Sequence, residues 1–273
     1  MNVNKLKAFY IICTDVYFDR FGGMLMHIVW ITAFGVGGAT IAGSLLGFIF
    51  KTLSKNLGNV ILSFAAGVML AASIIGLVLP SLEYGGTFAL PVTVAGIFAG
   101  ALCVKLLDKT VPKLHKLAGV TEDNSENLNS VLLFVFAIAI HNLPEGIAAG
   151  VGFGTGNIKD ALTVAGGIAL QNLPEGMIII APMLSAGISP ARTMMCAAGT
   201  GVIEIIGTLL GYYAVTLSDA ILPFALALAG GTMLYVISDE MIPATHSDGC
   251  ERCVTFSLFL GFCVMLAINY YIA

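Results

Sequence analysis

Eight runs of nearly uncharged, apolar residues divide this chain, at 24–50, 60–82, 87–104, 130–153, 161–184, 193–213, 220–238 and 253–272. Most lie close to the roughly 20 residues that an α-helix needs to cross the hydrocarbon of a bilayer. The runs are continuous rather than alternating every second residue, which excludes a transmembrane β-barrel. Composition agrees: 58% of residues are hydrophobic and only 10% are charged, against roughly 25% charged in soluble chains. The sequence therefore predicts an all-α membrane protein with eight transmembrane helices and the lipid bilayer as its solvent. Residues 1–23 read as an N-terminal extracytoplasmic or interfacial arm, and 24–273 as a single eight-helix domain.

Lys and Arg set the orientation. The connections after the first, third, fifth and seventh runs carry Lys51, Lys55, Lys105, Lys109, Lys113, Lys116, Arg192 and Arg252, whereas the other side carries Lys5, Lys7, Arg20 and Lys159. By the positive-inside rule both termini face outward, in the plasma membrane, or the inner membrane of a Gram-negative cell. Ala8–Phe18 is short and contains Asp15, so it reads as interfacial rather than spanning. The longest connection, about 105–129, reads as a cytoplasmic loop. Six cysteines form no recognisable disulfide framework, since several lie within runs and Cys250 and Cys253 face the reducing side. No large basic patch points to nucleic acid.

The fourth and fifth runs repeat one another. His141-Asn-Leu-Pro-Glu-Gly146 and Gln171-Asn-Leu-Pro-Glu-Gly176 agree at five of six positions. The short connection between them makes the two helices antiparallel neighbours, so the motifs form an inverted repeat about an axis in the membrane plane. Such repeats build midplane binding sites in transporters. Pro144 and Pro174 lack an amide hydrogen, which frees the carbonyls of Ile140 and Leu170 and predicts a kink in each helix. His141 and Glu145 share one helix face, as do Gln171 and Glu175.

Counting residues from the centre of each run, at about 1.5 Å apiece, places Met69, His141, Asn142, Gln171, Asn172 and Glu204 near midplane. Glu145 and Glu175 lie slightly beyond it, but helical side chains lean toward their own N-terminus and return both carboxylates to the centre. Glu145, Glu175 and Glu204 are the only charged residues in the eight runs. Each costs about 2.5–3.5 kcal/mol to insert. With no Lys or Arg beside them, protons or metal ions must compensate. Imidazole and carboxylate together suit Zn²⁺, Fe²⁺, Mn²⁺ or Co²⁺, and the absence of a thiolate argues against a dedicated Cu⁺ site.

The paired motifs, the segment Val202-Ile-Glu-Ile-Ile-Gly207 and the segment Tyr235-Val-Ile-Ser-Asp-Glu-Met-Ile-Pro-Ala-Thr-His246 resemble the ZIP (Zrt/Irt-like) divalent-metal transporters, most closely the GufA-type branch. The resemblance covers about 24–273. It implies eight helices, outward termini, import of Zn²⁺ and related metals by an elevator-type carrier, and a homodimer. By position, His141, Asn142 and Glu145 with Gln171, Asn172 and Glu175 match the family's transport site, joined by Met69 and Glu204. The resemblance also implies two adjacent metals bridged by Glu145 and Glu175. Asn172 stands where some relatives carry aspartate, which removes a charge from the second position and leaves one primary metal on His141, Glu145 and Glu175. No resident cofactor and no enzymatic reaction are expected; the metal is cargo.

Other groups are weaker candidates. Glu83, beyond the second run on the outer side, could draw cations inward. Asp239 and Glu240, with His246, Cys250 and Cys253 beyond them, could receive an ion leaving toward the cytoplasm. Gly43 with Gly47, Gly96 with Gly100 and Gly207 with Gly211 are GxxxG spacings that favour close helix packing. Two other functions compete. An intramembrane metalloprotease would need H-E-x-x-H, which the chain does not have. A proton-coupled carrier of small solutes could use the same buried carboxylates as a proton relay.

Overall fold

The computed structural model describes residues 3–50, 54–109, 126–246 and 251–272. The elements are α1 (Val3–Ile49), α2 (Asn56–Tyr84), α3 (Ala89–Asp108), α4 (Glu126–Val151), α5 (Ile158–Ser185), α6 (Pro190–Thr216), α7 (Leu222–Thr245) and α8 (Glu251–Ile272). Among the described residues there is no strand. Among the described residues, every helix but α4 contains a stretch long and apolar enough to cross a membrane, which in α1 is Met24–Ile49. The protein is the all-α membrane protein that its apolar runs predict. From Val3 onward the N-terminal arm is continuous with α1.

Local chemistry sets the ends of the elements. Asn157 caps α5 by accepting the Lys159 amide at 3.1 Å, and Asp160 adds a negative charge to the first turn, where the helix dipole favours it. Gly156 before it adopts φ +74°, a left-handed conformation open to glycine. That turn reverses the chain between α4 and α5. Ser54 begins α2 in the same manner, accepting from Leu57 at 3.3 Å, while Pro190 stands at the start of α6, where its missing donor costs nothing.

Helical assignment continues through Pro144 in α4 and Pro174 in α5. Within α2 and α7 the helix departs from α-geometry. Each contains a five-residue π turn, Ile74–Val78 and Ile237–Met241, and each turn is followed by proline, at Pro80 and Pro243, six positions after the turn begins. The wider turn accommodates the proline ring and its missing donor without ending the helix. Such turns also redirect the side chains that they carry, including Asp239 and Glu240.

The matching π turns are part of a larger repeat. Helix α1 packs along α5 as α6 packs along α4, and α2 packs along α8 as α7 packs along α3. Helices α1 to α4 thus correspond in order to α6, α7, α8 and α5, which extends the inverted repeat from two motifs to the bundle. At its centre α1 crosses α6 glycine on glycine: a Cβ on Gly37 would stand 2.2 Å from the Gly201 carbonyl oxygen. Gly43 and Gly47 lie on the backbone of α5 at Leu173 and Met177. Gly207 and Gly211 lie on α4 at Leu143 and Ile147, and Gly96 and Gly100 on α7. All three GxxxG pairs are therefore used within one chain, and two of them seat the helices of the polar motifs against α1 and α6.

Candidate metal centre

The α1/α5 and α4/α6 seams place both repeated hexapeptides at one level, facing the α1/α6 crossing. His141, Asn142 and Glu145 come from α4, Gln171, Asn172 and Glu175 from α5, and Glu204 from α6. Asn142, Gln171, Asn172 and Glu204 are fully buried, Glu145 and His141 nearly so, and Glu175 is half-buried. His141, Asn142, Glu145 and Glu175 line one cavity of about 240 Å³. Its remaining wall includes Leu62 of α2 with Val236, Glu240 and Ala244 of α7. Leu62 and Ala244 lie toward the ends of α2 and α7 that carry the lysine- and arginine-rich connections.

Two polar groups close around this cavity. His141 Nε2 is 3.0 Å from Glu240 Oε1, a partly exposed carboxylate on the α7 π turn. Behind the cavity, Glu204 accepts from three side chains. Thr40 Oγ1 lies 2.8 and 2.9 Å from its two oxygens, Asn172 Nδ2 donates to Oε2 at 2.8 Å, and Asn142 Nδ2 donates to Oε1. Asn172 Nδ2 also reaches the Val36 carbonyl oxygen at 3.3 Å.

Several buried atoms here have no hydrogen-bond partner among the described residues: Asn142 Oδ1, Asn172 Oδ1, Glu145 Oε2, and both amide heavy atoms of Gln171. Buried polar atoms are rarely left so. They are concentrated in one place, and oxygen acceptors beside an imidazole suit a divalent cation. Among the described residues no three His, Cys, Asp or Glu side chains are drawn close enough to form a closed metal cage; the groups stand around the cavity wall.

The other sequence candidates are dispersed. Met69 is fully buried in the apolar core with Ala65 and Leu77 and does not line the cavity. Glu83 is exposed and lines a second cavity of about 230 Å³, at the opposite end of α2, with Tyr84, Thr155 and Asp160. Asp239 is exposed on the π turn. His246 is engaged locally, with Nδ1 2.9 Å from the Ile242 carbonyl oxygen and Nε2 3.3 Å from Thr255 Oγ1. Cys253 is exposed in the first turn of α8, and Cys250 lies outside the described residues.

Sequence reasoning missed Thr40 and the closeness of Glu240 to His141. A signal for Thr40 existed: Gly37-Gly-Ala-Thr-Ile-Ala-Gly-Ser-Leu-Leu-Gly47 and Gly201-Val-Ile-Glu-Ile-Ile-Gly-Thr-Leu-Leu-Gly211 align without gaps and set Thr40 against Glu204.

Fold and site together define a helical membrane protein with a polar, acidic centre inside its bundle. The family model described as ZIP Zinc transporter matches residues 118–269. The chain is 37% identical to zinc transporter GufA of Myxococcus xanthus over 239 residues, covering 85% of this chain and 94% of that one. It is 34% identical to zinc transporter ZIPB of Bordetella bronchiseptica, covering 89% and 82%, and 30% identical to human zinc transporter ZIP11, covering 85% and 93%. The chain belongs to the ZIP zinc transporter family.

Proposed function

We propose that this protein imports divalent transition-metal ions, Zn²⁺ first and Fe²⁺, Mn²⁺, Cd²⁺ or Co²⁺ as further cargo, into the cytoplasm through the α4/α5 centre. The observation that carries this reading is the set of unpartnered buried oxygens beside His141, Glu145 and Glu175, in a cavity without lysine or arginine. His141, Glu145 and Glu175 hold one primary ion. Asn142, Gln171 and Asn172 add neutral oxygens, Glu204 adds charge from behind, and Met69 stays with the core unless the helices move. A second ion beside Asn172 would lack the charge that aspartate supplies. With α4 as the fourth of eight spans and the lysine- and arginine-rich connections inside, both termini lie outside and the His141 cavity opens on the cytoplasmic side. The structure is then the inward-facing member of an alternating-access pair.

In this reading an ion approaching from outside meets Glu83 and Asp160, is held at midplane, and leaves past Glu240. Homodimer formation and a plasma-membrane location complete the proposal. Metal-resolved uptake into proteoliposomes, with and without a pH gradient, tests it. The expected result is accumulation of Zn²⁺; a vesicle that accumulates none, but takes up an organic solute with protons, would overturn it in favour of a proton-coupled solute carrier.

A further inference from the structure

The repeat that maps His141 onto Gln171 and Asn142 onto Asn172 gives Glu204 a mate in α1, Thr40, 164 positions earlier. The two meet where the helices cross, and the Thr40 hydroxyl is shared between both carboxylate oxygens at 2.8 and 2.9 Å. The surroundings are matched as well. Ser44 Oγ donates to the Thr40 carbonyl oxygen and Thr208 Oγ1 donates to that of Glu204, each at 2.9 Å. A carboxylate offers about four lone-pair directions. On Glu204, Oε1 accepts from Thr40 and Asn142 and Oε2 from Thr40 and Asn172. Three donated hydrogens therefore surround this carboxylate, the Thr40 one shared between its two oxygens, and they hold its plane fixed.

A carboxylate accepts and does not donate, so it selects the nitrogen of each neighbouring amide. The planar amides then turn their oxygens away from Glu204. Those atoms, Asn142 Oδ1 and Asn172 Oδ1, are buried and without a partner among the described residues, and Asn142 lines the cavity. A cation is attracted by an amide oxygen and repelled by an amide NH₂, so this orientation decides whether the asparagines help or oppose binding. We propose that Thr40 and Glu204 are positioning residues: the Thr40 hydroxyl fixes the Glu204 carboxylate, which holds Asn142 and Asn172 with oxygen, not nitrogen, toward the transported divalent cation. This rests on the transport reading above and deepens it, since Glu204 acts through the asparagines instead of on the metal.

The test is a double-mutant cycle on the Zn²⁺ affinity of the full chain in detergent, measured by titration calorimetry. Thr40→Val keeps the volume and removes the hydroxyl. It is expected to weaken Zn²⁺ binding about tenfold, the effect of losing an outer partner of a ligand, and Thr40→Ser is expected to restore it. In an Asn142→Ala/Asn172→Ala background, where no amide remains to be oriented, Thr40→Val should change affinity by less than about twofold, within ordinary additivity error. Glu204→Gln should show the same loss in the first background and the same silence in the second. An equal loss in both backgrounds, which direct coordination by Glu204 or a general packing role would give, overturns the inference, as does no loss in the parent protein. A parent protein that binds no Zn²⁺ overturns the transport reading itself; a parent that binds while the cycle is additive overturns this inference alone.

Discussion

Glu240 stands 3.0 Å from His141 Nε2 although the two come from different helices and Glu240 is partly exposed at the cavity wall. An ion held by the imidazole would therefore have a carboxylate within reach on the side of the lysine- and arginine-rich connections. Glu240→Gln keeps the shape and removes that charge. Zinc uptake into proteoliposomes should show a kcat lowered about fivefold with KM within about twofold, because release rather than capture is impaired. An unchanged kcat would remove Glu240 from the path.

Removal of a primary ligand should do more. His141→Ala or Glu145→Ala is expected to lower zinc uptake by well over about tenfold, since even an outer partner of a metal ligand commands that range. Both residues line the cavity, and the variants should still insert and keep a helical circular-dichroism spectrum. Uptake at the parent rate by folded protein would refute the assignment.

Asn172→Asp restores the charge that some relatives carry, and the structure gives its effect a sign. Asn172 Nδ2 donates to Glu204 Oε2 at 2.8 Å and to the Val36 carbonyl at 3.3 Å. Aspartate would replace both donations with oxygen facing oxygen. Losing a buried hydrogen bond to a charged group costs about 1.5–3 kcal/mol, so the variant should melt lower than the parent in a chelator. A cation between the two carboxylates reverses the repulsion, and ligand linkage returns that energy as stability. Melting curves in detergent should show a larger zinc-induced rise in Tm for Asn172→Asp than for the parent; an equal rise would mean that Asn172 does not face the ion.

Much of this was legible in the sequence because the bilayer constrains it strongly. The apolar runs gave the helices, and the hexapeptides gave the paired faces, because i, i+4 geometry on one helix follows from local spacing. Depth arithmetic fixes the height of a side chain but not its direction around the helix. Met69 lies at the height of the site yet points into the core with Ala65 and Leu77. Glu240 lay beyond reach of that arithmetic because a π turn redirects it. The prolines drew attention to α4 and α5, whose helices run on through them, while the irregular turns lie before Pro80 and Pro243. Thr40 was overlooked as an uncharged residue; only the alignment of α1 with α6 marks it as the counterpart of Glu204.

The glycine seams allow the sharpest stability comparison. A Cβ on Gly43 would meet the Leu173 carbonyl oxygen at 2.1 Å, and one on its repeat mate Gly207 would meet the Leu143 carbonyl oxygen at 2.6 Å. Both contacts are with backbone, which cannot rotate aside, so each Gly→Ala change must push two helices apart. Overpacking of this kind costs about 1–3 kcal/mol. At Gly35 and Gly199, by contrast, an added Cβ meets nothing within 4 Å, and alanine in a helix is favoured over glycine by about 1 kcal/mol. Melting temperatures in detergent should therefore fall for Gly43→Ala and Gly207→Ala and hold or rise for Gly35→Ala and Gly199→Ala. The first pair should also lose zinc uptake, because the α1/α5 and α4/α6 seams set the distance between the asparagines and Glu204. If all four substitutions behaved alike, the seams would not be what holds the site together.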